Sequence, residues 1–185
     1  MGKLRSNIIV ALFLLHLGMY GQNSDKVIAR QGQVSFFSYT AVENIEATNN
    51  QVQSIIDKES GEIAVQMLLR AFVFKKALME EHFNESYVES DIYPKLTFSG
   101  RLADFSGLNV VDAPLFIKGI MDFHGVQKEI EIKANAENQS GNITISGDFE
   151  IAIDDFDIKV PPLLVPNISK EIKVQFKLEY TPYEE

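Results

Sequence analysis

The feature that most constrains this chain is an apolar alternation of period two that recurs from about Gln33 to the C-terminal end. Its cleanest instance places Ile172, Val174, Phe176, Leu178 and Tyr180 on one side and Lys173, Gln175, Lys177 and Glu179 on the other. Successive side chains of a strand point to opposite faces, so each such run reads as a strand with one buried face. The same signal runs through Ile63, Val65, Met67 and Leu69, and through Leu96, Phe98, Gly100 and Leu102 after Pro94. It returns in Leu115 to Phe123 after Pro114, in Ile130, Ile132 and Ala134, and in Ile143 to Ile153. Turn signals separate the runs at Lys58 to Gly61, at His124-Gly125 and at Asn138 to Gly141. Residues 161–166, PPLLVP, cannot donate a regular ladder and read as a loop.

One stretch changes period. In KKALMEEHF, Met79 and Phe83 are four apart, as are Leu78 and His82, which predicts a short helix over Lys75 to Phe83. About eight antiparallel strands and one inserted helix give an all-β fold, a closed barrel or a sandwich, and not a parallel α/β sheet. Gly100, Gly119 and Gly147 fall on the inward register, where they mark bends of a barrel wall or leave room for something else.

The first residues carry processing information. Lys3 and Arg5 precede an apolar run from Ile8 to Leu17 and a small residue at Gly21, which predicts a signal peptide over 1–21 with cleavage after Gly21. The run is too short to span a bilayer, so no transmembrane segment is expected, and the protein is expected in the periplasm or secreted. Residues 22–185 then form a single domain, since no repeat, linker or low-complexity tract divides them. There is no cysteine, which excludes disulfides, thiol catalysis and a cysteine-borne lipid anchor. The formal charge is −9; without Lys3 and Arg5 it is 15 − 26 = −11, which repels phosphate backbones and anionic surfaces, so no nucleic-acid partner is expected.

The central residues resemble the YceI-like family. Ala71 to Phe74, Met79 to Glu85, Tyr93 to Gly100, Gly119 to Val126 and Asp155 to Ile158 carry the likeness, which extends over roughly Val27 to Tyr180. It implies an extended lipocalin-like, eight-stranded antiparallel β-barrel with the helix inserted near residues 75–83. It also implies a long isoprenoid chain held in the barrel, although members differ in what they bind.

With that fold, the inward register and the helix face nominate a hydrophobic pocket. Its candidate residues are Phe36, Phe72, Phe74, Leu78, Met79, Phe83, Phe98, Leu115, Ile117, Met121, Phe149 and Ile151. Each buried methylene of an isoprenoid or acyl tail contributes roughly 0.8 kcal/mol, so such a wall holds a lipid without a charged contact. The alternative is an ordinary packed core. Arg70 and His82 are candidates for a polar headgroup at the mouth, although a solvated arginine and a structural histidine are the plainer readings. The spacing of His82 and His124 matches no metal signature, and neither a Gly-x-Ser-x-Gly elbow nor a phosphate loop occurs. No cofactor or metal is therefore expected.

The expected function is sequestration or carriage of an isoprenoid, isoprenoid quinone or fatty acyl chain by a non-enzymatic monomer or homodimer. The helix and the Pro-rich 161–166 loop are expected to gate the barrel. Two alternatives stay open: a filled-barrel interaction or stress protein, and a His82-dependent hydrolase or isomerase.

Overall fold

The structure, a computed structural model, describes residues 25–103, 113–139 and 142–183. The expected signal peptide with its cleavage point and the Ser140-Gly141 half of one turn lie outside the described residues.

Among the described residues the elements are β1 (Lys26–Tyr39), β2 (Asn44–Asp57), β3 (Glu62–Leu68), β4 (Val73–Phe74), α1 (Ala77–His82), β5 (Lys95–Leu102), β6 (Ala113–Phe123), β7 (Val126–Gln139), β8 (Asn142–Ala152) and β9 (Glu171–Pro182). Every pairing is antiparallel, and β1 bonds both to β2 and to β9, so eight long strands close on themselves. The two-residue β4 lies outside the ring as an extra strand on β2, opposite Ala47 and Thr48. The expected eight-stranded all-β barrel with one short helix is the fold that forms.

Local sequence explains the corners. In the β2–β3 turn the Asp57 carboxylate accepts the backbone N–H groups of Glu59 and Ser60 at 2.9 and 3.0 Å, and Gly61 takes a φ of 74°. These backbone donors, Ser60 foremost, hold the Asp57 carboxyl below its ordinary value. The β6–β7 turn uses two positive-φ residues, His124 and Gly125. A side chain at Gly125 would also run into the Tyr93 ring, 2.8 Å away.

The registers define two ends. At one end lie the start of β1, the β2–β3 turn and the end of β9; at the other lie the β1–β2 turn, the helix and the connection from β8 to β9. The first end is packed solid. Val27, Ala29, Ile56, Leu102, Ala136, Ile145 and Tyr180 are all buried there. The Tyr180 hydroxyl sits 2.7 Å from Ser54 Oγ, which in turn donates to the Ala64 carbonyl at 2.9 Å, so the buried hydroxyls are partnered. Burial pushes the Tyr180 pKa well up, which keeps the ring neutral.

The inward glycines make room for aromatic rings. Gly100 and Gly119 face each other across β5 and β6, and the Phe98 ring lies where their side chains would be, 2.8 and 2.6 Å from the Cβ positions. A Cβ at Gly119 would also meet backbone, at 2.4 and 2.5 Å from Ser99 O and Gly100 Cα. Backbone cannot step aside as a flexible side chain does. Gly119→Ala is therefore expected to cost about 1–3 kcal/mol, read as a lower urea midpoint at unchanged slope.

Candidate ligand-binding cavity

The inward alternation continues past the packed end, but there the side chains no longer meet. Between a floor formed by Ile63, Ile117, Ile132 and Leu178 and a roof formed by the helix region lies a cavity of about 240 Å³. One water needs only about 10–15 Å³, so the space is a chamber and not a packing defect. Its wall is almost wholly hydrocarbon.

Two segments roof the chamber. The first, residues 69–94, leaves β3 through a 3₁₀ turn at Leu69–Ala71, crosses β2 as β4 and forms α1. The helix is shorter than the pattern predicts, because Lys75 and Lys76 stay outside it and pair with Glu46 of β2 and with Glu43 of the β1–β2 turn. At Phe83–Tyr87 it widens into a π-helical turn. Phe83 drops into a cluster with Phe36, Phe72 and Phe74, at ring-centroid distances of 5.4, 5.6 and 5.1 Å. Aromatic pairs of this kind add about 0.5–1.5 kcal/mol each beyond their burial, so four rings bolt the roof to the wall.

The second segment, residues 153–170, contributes Val160, Leu164, Asn167 and Ile168 to the chamber. His124 ties both segments to the barrel. Its Nδ1 lies 2.9 Å from the Phe156 carbonyl and its Nε2 3.1 Å from the Glu89 carboxylate, with the Tyr93 ring at 4.6 Å. It is a partnered structural histidine at the junction of three loops.

Ten of the twelve nominated pocket residues line the chamber: Phe36, Phe72, Phe74, Met79, Phe83, Phe98, Ile117, Met121, Phe149 and Ile151. Leu78 and Leu115 do not. With Met79, His82 and Phe83 facing inward, Leu78 sits a helical step away on the outer side and is 61% exposed. Leu115 faces inward but lies at the packed end, where it is buried. Of the two headgroup candidates, His82 touches the chamber, whereas Arg70 points outward and pairs with Asp91. Polar groups on the chamber wall, absent from the sequence reading, are Ser38, Glu43, Tyr87 and Asn167. All belong to the mouth end, and desolvation pushes the Tyr87 pKa up. Among the described residues no three His, Asp or Glu side chains come together as a metal site.

A YceI-like domain is matched over residues 26–180. The chain belongs to the YceI-like family. Solved structures agree with this assignment at the level of the fold. A polyisoprenoid binding domain from Saccharophagus degradans, implicated in plant cell wall breakdown, is 16% identical, with a TM-score of 0.74 over 86% of this chain and 99% of that one. Burkholderia cenocepacia BcnA is 14% identical, with a TM-score of 0.70 over 81% and 96%. The Campylobacter jejuni YCEI protein is 15% identical, with a TM-score of 0.63 over 80% and 90%. No curated protein matches.

The His124 junction makes a test. His124→Ala is expected to speed amide hydrogen exchange in residues 83–94 and 153–158 while leaving the β-strands protected. Equal protection in both segments would show that they are held without it.

Proposed function

We propose that this YceI-like chain is an exported binding protein that holds a long apolar ligand, an isoprenoid, isoprenoid quinone or fatty acyl chain, inside its barrel. The observation that carries the reading is the half-filled interior: one end is packed with side chains and the other is an apolar chamber. Leaving such a volume empty sacrifices dispersion contacts and costs stability in proportion to its size. A hydrocarbon tail restores those contacts. A polar end group would lie among Glu43, His82, Tyr87 and Asn167 at the mouth. The description of the Saccharophagus degradans domain as polyisoprenoid binding supports the same ligand class.

The chamber favours this reading over a filled-barrel interaction protein. A His82-dependent enzyme has less support, because His82 opens onto a wall that is almost wholly hydrocarbon and so suits an apolar tail better than a reacting polar group.

Uptake of a long-chain isoprenoid alcohol and of a fatty acid, measured on protein stripped of lipid, tests the proposal. Met79→Asp and Phe83→Asp each put a carboxylate against the hydrocarbon and are expected to weaken retention at least tenfold, about 1.4 kcal/mol or more, with the barrel still folded by circular dichroism. Leu78→Asp lies on the outer face and is expected to retain ligand normally. Equal retention in all three variants would contradict the placement of the ligand in the chamber.

A further inference from the structure

The roof segment from Ile158 to Lys170, IKVPPLLVPNISK, is unlike the rest of the chain. It holds two lysines and no acidic residue in a protein of formal charge −9, and the acidic turn Asp154, Asp155 and Asp157 directly precedes it, with Asp154 and Asp155 facing Lys170 and Lys128. It is also apolar on both faces: Val160, Leu164 and Ile168 turn into the chamber, while Leu163 is 87% and Val165 47% exposed. Pro161, Pro162 and Pro166 are exposed between them. A solvent-facing leucine on an apolar run is a liability unless something covers it.

The backbone of this strap suits an apolar environment. Its three prolines have no N–H, and the N–H groups of Leu164, Asn167 and Ile168 are spent internally on the carbonyls of Pro161, Leu164 and Val165. Fewer donors would therefore lose water on leaving it, which lowers the cost of placing irregular backbone in the interfacial layer, where the N–H groups of Leu163 and Val165 still reach water and headgroups. The strap is held at both ends and free in the middle. Ser169 N–H donates to Ser38 Oγ at 2.8 Å, Ile153 N–H to the Lys170 carbonyl at 3.0 Å, and the Phe156 carbonyl is held by His124. The Ser38 contact sets the strap beside the β1–β2 turn, whose Tyr39 and Val42 are 58% and 65% exposed.

We propose that this strap docks the mouth of the barrel onto a phospholipid bilayer. Leu163 and Val165 enter the interfacial layer, and Lys159 at one end meets headgroup phosphates, whereas Lys170 at the other end has its ammonium 3.8 Å from the Asp154 carboxylate. Positive charge at this place is complementary to phosphates that the rest of the acidic surface repels. Because the other face of the same strap roofs the chamber, cargo then passes between bilayer and barrel without crossing water. The inference rests on the lipid-cargo reading for its purpose but not for its geometry.

Sedimentation with mixed phosphatidylcholine–phosphatidylglycerol vesicles tests it. The chain from Gln22 onward is used: it contains all the described barrel and omits the apolar run of residues 8–17, which would bind vesicles by itself. Leu163→Glu with Val165→Glu is expected to lower vesicle binding at least roughly tenfold, the loss of two partly inserted side chains. The lipid cargo held at equilibrium should be unchanged, and Lys159→Glu should weaken binding by a smaller factor. Wild-type protein that ignores vesicles, or a double variant that binds as well as wild type, overturns the proposal. So does a double variant that instead breaks a homodimer, which would make the strap a self-association surface. Vesicle binding by a protein that takes up no cargo would overturn the cargo reading and leave the docking surface standing.

Discussion

Closure of β1 onto both β2 and β9 is the constraint on which everything else depends. An open sheet of these strands would expose one apolar face and two unpaired edges; closing it pairs every long strand on both sides and turns all the apolar faces toward one axis. The interior must then be filled by side chains or by something else. At one end small and branched residues such as Ala29, Ala134, Ala136 and Val52 interdigitate and fill it. At the other end the same alternation carries aromatic and long side chains that line a space without filling it.

The two halves divide the labour. The packed end, with Tyr180 hydrogen-bonded to Ser54, supplies the rigidity that lets the opposite end stay hollow. The roof over the hollow end is assembled from weaker parts: a helix of six residues, a π-helical turn, three 3₁₀ turns and exposed ion pairs, anchored by one aromatic cluster and by His124. Exposed pairs such as Lys75 with Glu46 contribute little. Opening of the roof is thus cheaper than opening of the wall.

Much of the fold was legible in the sequence because period two, turn glycines and prolines all act locally. The strands after Pro94 and Pro114 and the hairpin at Gly61 formed where those signals placed them. The first half of β2, NIEATNN, was not legible: its polar composition hides Ile45 and Ala47, which alternate too briefly to register, and its pairing with β1 is long-range. Most of the chamber wall followed from inward register, including Phe98 and Phe149. What failed was orientation on elements with no long period. Leu78 went outward because a one-and-a-half-turn helix has a single inward stripe, and Arg70 because a partner at Asp91 waits outside. Val160 and Leu164 were invisible as wall because they lie on a loop, where no periodicity assigns a face.

If the hollow end of the barrel holds a long apolar molecule, as proposed above, that molecule should travel with the protein. Native mass spectrometry of the protein from its own host, followed by organic extraction, decides whether it does. The expected result is a stoichiometric adduct that leaves into organic solvent, on a chain whose mass, if the proposed export removes residues 1–21, begins at Gln22. A bare polypeptide mass, in a protein that also takes up no isoprenoid or fatty acid supplied afterwards, would contradict it.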